Sequence, residues 1–523
     1  MKSTLELSLL YLLSAASTAA AAENASTAAA TAIHWSPPHN ATGATAVNQG
    51  YIGFGIEMKS FPDYAGLNSP NNFTAYLLAL LSTRTGNAPL PIRIGGTSMD
   101  NSRFNSTSPN ATTPTGASCK LHTNVTIGAP WLRGFGHLPA GARYTLQVPL
   151  ARKDVANGLA FAGAAVDAMG GAAAALDALE IGNEPNFYPT YGCNGGTDRA
   201  PGWGPVDYAR EWRGYAGNLT RGVDGLGGGE WFQALGLSSS VDEGKWDFSK
   251  FWDQMAQGGH VKTVSQHYYQ GDASGNLTYE LMTHSVTVQK MENKFRHNID
   301  FAHNHSGTPF VLGEVGSAIG GNGDPNPNLY GTLGAALWTL DFLLYGMTMG
   351  IHRVSMQLGT GFKIAAWQPV NGKAVHGNFY GLAAGADFIG SAGNLKIQPL
   401  DLTGHPNVVG YAGYNGGELS KVAVLNLNFW NGEEESGKRG QRDINLTDLP
   451  DEVKRVRVSR LTGANATAEE GITWAGKRWT AENDGKEYQD GEKPVTLDVK
   501  NNSPVGNVTV QASEAILVEM LKN

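Results

Sequence analysis

Two cysteines, Cys119 and Cys193, are all that 523 residues carry, which excludes a disulfide-dense scaffold and any zinc site built on thiolates. Charged residues make up only 16%, and Lys plus Arg (38) fall short of Asp plus Glu (46), leaving a net charge of −8. No basic field exists to concentrate nucleic acid or a sulfated polyanion, and neither is expected as a partner. The apolar run that opens the chain, Leu5 to Ala16, is about a dozen residues against the roughly 20 needed to span a bilayer, so no membrane anchor is expected. Also missing, in any suitable context, are a Gly-x-Ser-x-Gly elbow, a phosphate-binding loop and a dinucleotide fingerprint, and no cofactor is expected. His297, His303 and His305 gather near one helix end but read as solvated side chains, and no metal is expected.

What the sequence does have begins at its N-terminus. Lys2, the apolar stretch and the alanine-rich run to Ala22 read as a signal peptide over residues 1–22, which places the mature chain outside the cell. Thirteen Asn-x-Ser/Thr sequons, from Asn24 to Asn507, fit a secreted glycoprotein. In an oxidising compartment Cys119 and Cys193 most simply form one disulfide, the alternative being two free thiols. A monomer is expected.

Past the signal, apolar strand-like runs alternate with helix-like stretches. Eight strands are predicted at Tyr51 to Ile56, Pro91 to Gly95, Tyr144 to Val148, Leu176 to Ile181, Phe232 to Leu237, Val261 to Tyr268, Pro309 to Gly313 and His352 to Leu358. Helices are predicted between most of them, among them Asn72 to Leu81, Asp154 to Met169, Asp207 to Leu219, Tyr279 to Asn298 and Tyr330 to Tyr345. The pattern is that of an α/β fold, a (β/α)₈ TIM barrel over residues 49–384. From about residue 385 the runs Val422 to Leu427, Val453 to Leu461, Val495 to Val499 and Val508 to Val518 are β-rich, which predicts a C-terminal β-sandwich domain over 385–523. Residues 23–48 are expected to add a strand to it.

Barrel enzymes build their sites at the carboxyl ends of the strands. The fourth predicted strand runs into Ile181-Gly182-Asn183-Glu184-Pro185-Asn186 and the seventh into Gly313-Glu314-Val315-Gly316, so each apolar strand ends at a carboxylate. Two carboxylates on facing strand ends are what glycoside cleavage needs: one protonates the leaving oxygen, the other attacks the anomeric carbon or activates water.

These segments resemble the acid/base and nucleophile motifs of retaining glycosidases of clan A. Three more, Ile94-Gly95-Gly96-Thr97-Ser98-Met99-Asp100, Gln266-His267-Tyr268-Tyr269 and Glu314-Val315-Gly316-Ser317-Ala318-Ile319-Gly320-Gly321, are similar to glycoside hydrolase family 79, the β-glucuronidases and heparanases. The resemblance implies that Glu184 is the general acid/base and Glu314 the nucleophile, with retention at the anomeric centre. It further implies that Tyr268 donates a hydrogen bond to Glu314, and that the backbone N–H groups of Gly320 and Gly321, completed by Tyr380, clamp a uronate carboxylate. Asn183 is placed to bond the sugar 2-hydroxyl, and Glu57, ending the first strand, reads as a ligand for other sugar hydroxyls. Arg93 is expected to brace the nucleophile, while Thr97 and Asp100 either line the cleft or cap a turn.

Two activities compete within such a family, removal of terminal glucuronic acid and internal cutting of heparan sulfate. Scarcity of Lys and Arg around the motifs favours an exo-acting β-glucuronidase that releases glucuronic acid or its 4-O-methyl form from glycans such as arabinogalactan side chains. The alternatives are an endo-acting enzyme and a carbohydrate-binding barrel without catalysis.

Overall fold

The computed structural model of the chain describes residues 32–118, 123–191, 197–238, 243–272, 274–319, 327–400, 404–433 and 438–522. The predicted signal peptide and Cys119, Cys193, Gly320 and Gly321 lie outside these residues.

Eight parallel strands close into a barrel in sequence order: β1 (Ile52–Glu57), β2 (Leu90–Gly95), β3 (Ala142–Val148), β4 (Leu176–Ile181), β5 (Phe232–Leu237), β6 (Val261–Asp272), β7 (Phe310–Ile319) and β8 (Arg353–Leu358), with β8 pairing back to β1. Their residues are buried almost without break, because helices cover the outside while the barrel fills its own interior; such strands read as apolar runs rather than alternating ones. Strands β6 and β7 run further than the sequence predicts, to Asp272 and Ile319, and carry polar side chains onto the rim.

The outer helices start where local chemistry satisfies their first N–H groups. Asn71 accepts from Thr74 N–H to open α1 (Asn72–Arg84), and Asp154 accepts from Asn157 N–H to open α2 (Val155–Ala168). Helix α3 covers Pro205–Gly222. The predicted helix Tyr279 to Asn298 is two pieces, Leu277–Leu281 and then α4 (His284–Phe301), with Met282 and Thr283 between them. Helix α5 (Leu333–Thr348) is apolar all round because it is buried between the barrel and the C-terminal domain, packed on α6 (Gly377–Ile389). Helix α6 keeps packing on the barrel past residue 384, where Gly385 lies against Leu343 and Ile52.

The C-terminal region is two sheets around one core. The larger holds Leu395–Leu400, Val408–Asn415, Glu418–Asn426, Glu514–Leu521 and Arg455–Thr462 as antiparallel neighbours. The smaller is Gln441–Leu446 flanked by Val508–Gln511 and, in parallel, by Ile33–Trp35. Side chains of both, among them Trp35, Ile444, Val510, Val422, Val458 and Ile516, share a buried cluster, which makes the pair a sandwich. The predicted run Val508 to Val518 divides at Ala512 and Ser513 and serves both sheets; Ser513 turns through φ 55° to do so. The N-terminal segment joins the large sheet too, through Thr45–Ala46 against Leu395–Leu400. Asn124, one of the thirteen sequon asparagines, is buried at 4% exposure, which leaves no room for a glycan on it in the folded chain.

Candidate active site

At the end of β4 the chain turns sharply. Gly182 and Glu184 both take positive φ, 84° and 47°, so Glu184 sits in the left-handed region where a side chain other than glycine is strained. The turn is held by its neighbours: Glu184 N–H donates to the Gly236 carbonyl at 2.9 Å, and Asn183 N–H to Asp100 at 3.3 Å. Asp100 also accepts from Leu150 N–H (2.8 Å), Ala151 N–H (3.2 Å) and the Tyr188 hydroxyl. Of the two roles the sequence left open for Asp100, the structure shows the loop-holding one. Buried at 2% exposure, it ties three strand-end loops together, and burial pushes its pKa up to about 6 against those four hydrogen bonds. Thr97 lines the cleft, with its hydroxyl 3.5 Å from Asn183 Nδ2.

Glu314 stands on β7 opposite, its side chain 10% exposed against 19% for Glu184. Arg93 Nη1 donates to Glu314 Oε2 at 2.9 Å and Arg93 Nη2 to Asn183 Oδ1 at 2.8 Å, so one guanidinium braces both strand ends. Tyr269 Oη donates to Glu314 Oε1 at 2.7 Å. His267, fully buried, holds Nδ1 3.1 Å from Glu184 Oε1 and 4.0 Å from Glu314 Oε2. Those two distances bound the gap between these carboxylate oxygens at about 7 Å. Burial alone raises the pKa of Glu314, but the charges of His267 and Arg93 and the hydrogen bonds from Tyr269 and Arg93 outweigh it and hold the carboxyl below its usual value.

Glu57 ends β1 against the loop after β2. Gly96 lets them approach: its φ is +98°, and a Cβ there would lie 2.0 Å from Glu57 Oε2. Ser98 Oγ donates to Glu57, yet burial and the nearby charge of Glu314 push the carboxyl up to about 7.

Two expectations are corrected. Tyr268 does not touch Glu314: it faces away from the barrel interior, stacked on Phe342 at 5.7 Å, and donates to Gln270 Oε1 at 3.0 Å. Period-two alternation puts His267 and Tyr269 on the inner side and Tyr268 against α4 and α5, packed on Phe295 and Phe342. Tyr380 does not reach the cleft either. It lies in the first turns of α6, where its hydroxyl donates to the Trp479 carbonyl at 3.1 Å and accepts from Trp479 N–H at 3.2 Å. It borders a separate groove of about 680 Å³ between the barrel and the β-domain.

The cleft itself, of about 1040 Å³, is lined among others by Glu57, Thr97, Glu184, Tyr269, Glu314 and Phe362. Lys59, Lys290 and Lys294 also line it, which the motifs did not foretell, because the lysines come from a short turn and from α4, far from any motif. Lys290 Nζ is engaged by the Gln270 carbonyl at 2.7 Å and by Glu280. Among the described residues no group of three His, Cys, Asp or Glu side chains could hold a metal ion; His297 pairs with Asp247 at 3.2 Å and His305 stacks on Phe301. No helix of the described residues is long and apolar enough to cross a membrane.

Residues 410–517 match the glycosyl hydrolase family 79 C-terminal beta domain. The chain is 28% identical over 503 residues to a beta-glucuronidase of Neurospora crassa, covering 83% of this chain and 85% of that one. To a beta-glucuronidase of Aspergillus niger it is 27% identical over 464 residues, 82% of each chain. Among solved structures it shares its fold with a 4-O-alpha-L-rhamnosyl-beta-D-glucuronidase of Fusarium oxysporum in complex with Rha-GlcA (TM-score 0.78, 23% identity, 93% of this chain and 100% of that one). A family 51 arabinofuranosidase of Xanthomonas axonopodis pv. citri has the same architecture at a TM-score of 0.60 and 13% identity, over 91% of this chain and 97% of that one. The barrel with its β-domain and the likeness to family 79 are both as the motifs implied, and the chain is a glycoside hydrolase.

Proposed function

We propose that this glycoside hydrolase, whose C-terminal domain is that of family 79, is a secreted, monomeric, exo-acting retaining β-glucuronidase. The observation that carries the reading is the pairing of Glu184 and Glu314 across one imidazole, both within 4.0 Å of His267 Nδ1, at the strand ends of a cleft large enough for a sugar and its neighbour. An oxygen gap bounded at about 7 Å accommodates the roughly 5 to 5.5 Å separation of a retaining pair.

In this reading Glu314, kept ionised by Arg93 and Tyr269, attacks the anomeric carbon while Glu184 gives its proton to the departing glycosidic oxygen. The glycosyl ester on Glu314 is then hydrolysed by a water whose proton returns to Glu184, so the two inversions give net retention. Greater exposure suits Glu184 to this exchange of protons with water. Asn183, held by Arg93, bonds the 2-hydroxyl, and Glu57 bonds further hydroxyls. The uronate carboxylate is assigned, from the sequence resemblance, to the N–H groups of Gly320 and Gly321.

The glucuronide class is supported by the activities named for the Neurospora, Aspergillus and Fusarium proteins. Exo action on a weakly charged glycan is supported by the cleft walls, where Glu57, Asp63, Asp272 and Glu280 join the two site glutamates against three lysines. The walls lack the surplus of positive charge that a sulfated polyanion needs. Terminal glucuronic acid, free or 4-O-methylated, on arabinogalactan-type side chains is the substrate proposed, and the N-terminal residues 1–22 supply the secretion signal.

The test is release of chromophore from an aryl β-D-glucuronide at mildly acid pH, beside the matching glucoside. Glucuronide cleavage that Glu314→Ala abolishes supports the reading; cleavage of the glucoside alone overturns the substrate class. Cleavage of internal heparan bonds would overturn exo action.

A further inference from the structure

The interior of a (β/α)₈ barrel is ordinarily filled by branched apolar side chains. Here a string of polar groups runs through it from the floor to the site. Asp177 of β4 takes Lys262 of β6 at 2.8 Å and Arg353 of β8 at 2.6 Å. Arg353 Nη2 donates to Gln233 Oε1 of β5 at 3.1 Å, and Gln233 Nε2 donates to Glu180 Oε2 at 2.5 Å. Glu180 Oε1 accepts from Arg93 Nε at 2.7 Å with Arg93 Nη2 at 2.6 Å, and the same guanidinium reaches Glu314. Space for the string is kept by Gly313, the residue before Glu314, where a Cβ would lie 2.3 Å from Ser265 Oγ and 3.2 Å from Gln233 Nε2.

Glu180 and Arg93 are 1% exposed, and Glu180 is absent from the cleft wall, so Glu180 can meet substrate only through Arg93. Arg93 therefore divides one positive charge between two carboxylates, with Asn183 Oδ1 as a third acceptor. A guanidinium facing Glu314 alone would hold the nucleophile's electron pair too tightly and would be free to rotate its fork away from Asn183.

We infer that Glu180 is a positioning residue of the glycosidase reaction: it fixes the plane of the Arg93 fork and shares its charge, so that Glu314 stays ionised yet nucleophilic and Asn183 stays aimed at the sugar. The inference rests on the role proposed above for Glu314. Charged and titratable groups face Glu314 from Glu57 on β1, Arg93 on β2, Glu184 beyond β4, and His267 and Tyr269 on β6; Glu180 faces Arg93, Gln233 and the Tyr208 hydroxyl of α3.

Glu180→Gln is compared with the unaltered protein by pH profiles of kcat and KM on an aryl β-glucuronide and by thermal melting. Removing the negative charge hands all of Arg93 to Glu314, so the acidic limb of kcat/KM moves down by about one pH unit and kcat falls roughly tenfold to a hundredfold while KM stays within about threefold. Glu180→Asp, which keeps the charge, returns the limb toward its original place. Gln233→Met keeps the charge of Glu180 but removes its other donor, so Glu180 draws harder on Arg93 and the limb moves up instead. A Glu180→Gln protein with an unmoved limb and unchanged kcat, whatever its melting temperature, overturns the inference. If Glu180→Gln fails to fold, an unmoved limb in Gln233→Met does the same. If the unaltered chain cleaves no β-glucuronide, the reading of the substrate has failed. The ionisation of Glu314 is then followed by the pH dependence of its carbodiimide labelling, which must shift in the same directions in the two variants.

Discussion

Tyr269 Oη donates to Oε1 of Glu314 at 2.7 Å, and this bond is made possible by parity: the neighbouring Tyr268 is turned outward onto Phe342. Two adjacent tyrosines of one motif thus have unrelated work, one in the cleft and one in the barrel's packing against α5.

Phenylalanine substitution separates them. Tyr269→Phe removes a donor that favours the ionised carboxylate, so the acidic limb of kcat/KM moves to higher pH and kcat/KM falls roughly hundredfold. Tyr268→Phe leaves the activity within about twofold and costs about 1 kcal/mol of stability through its lost bond to Gln270. A Tyr268→Phe protein that is inactive while Tyr269→Phe is normal would reverse the assignment. Paired pH–rate profiles and urea unfolding read both effects.

Glu57 gives the stability a pH dependence of known sign. Its carboxyl is raised from 4.5 to about 7 in the folded chain, by burial first and then by the charge of Glu314. As pH rises from 4.5 to about 7 the unfolded chain gives up this proton before the folded one does, so stability falls across that window and the loss is complete above it. Asp100, raised from 3.8 to about 6, contributes a loss of the same sign at lower pH. Glu57→Gln, which does not titrate, is expected to lose less stability between pH 5 and pH 7 than the unaltered protein. Denaturant unfolding at a series of pH values measures this, and parallel curves would count against a buried, protonated Glu57.

His284, at the start of α4, holds Nδ1 2.8 Å from Asp341 of α5, and Asp341, fully buried, also accepts from Tyr411 of the β-domain at 3.3 Å. Burial lowers the pKa of His284, but the charge and hydrogen bond of Asp341 win and leave it raised. The stabilisation is therefore whole below the unfolded value of 6.5 and lost as pH rises through the folded one. His284→Gln is expected to cost about 3 kcal/mol at pH 5, since it strands Asp341, and clearly less at pH 8. Melting temperatures of both proteins at the two pH values decide it; an equal cost at each would mean that the pair is uncharged.

The fold was readable because it is repetitive: eight apolar runs at barrel spacing, with helix-like stretches between most of them, left little choice of architecture. Glu184 and Glu314 stood out because a carboxylate directly after such a run has nowhere to go but the rim. What alternation alone could not supply was parity. His267, which touches both carboxylates, and Tyr269 share a face that Tyr268 does not, and which face meets Glu314 is settled only when β6 pairs with β7 in the closed barrel. The string from Asp177 to Glu180 was equally hidden, since Asp177, Gln233 and Arg353 come from three strands and meet only when the barrel closes. Tyr380 was named by the family resemblance alone, and the segment that carries it is helical and buried against Trp479.

The most direct measurement is to trap the reaction on the protein. Incubation with a 2-deoxy-2-fluoro-β-glucuronosyl fluoride, followed by peptic digestion and mass spectrometry, is expected to find one glycosyl ester, carried by Glu314, with turnover lost in proportion to labelling. An ester on a different carboxylate, or a fully active enzyme that never labels and releases its sugar with inverted configuration, would contradict the assignment of Glu314 as nucleophile.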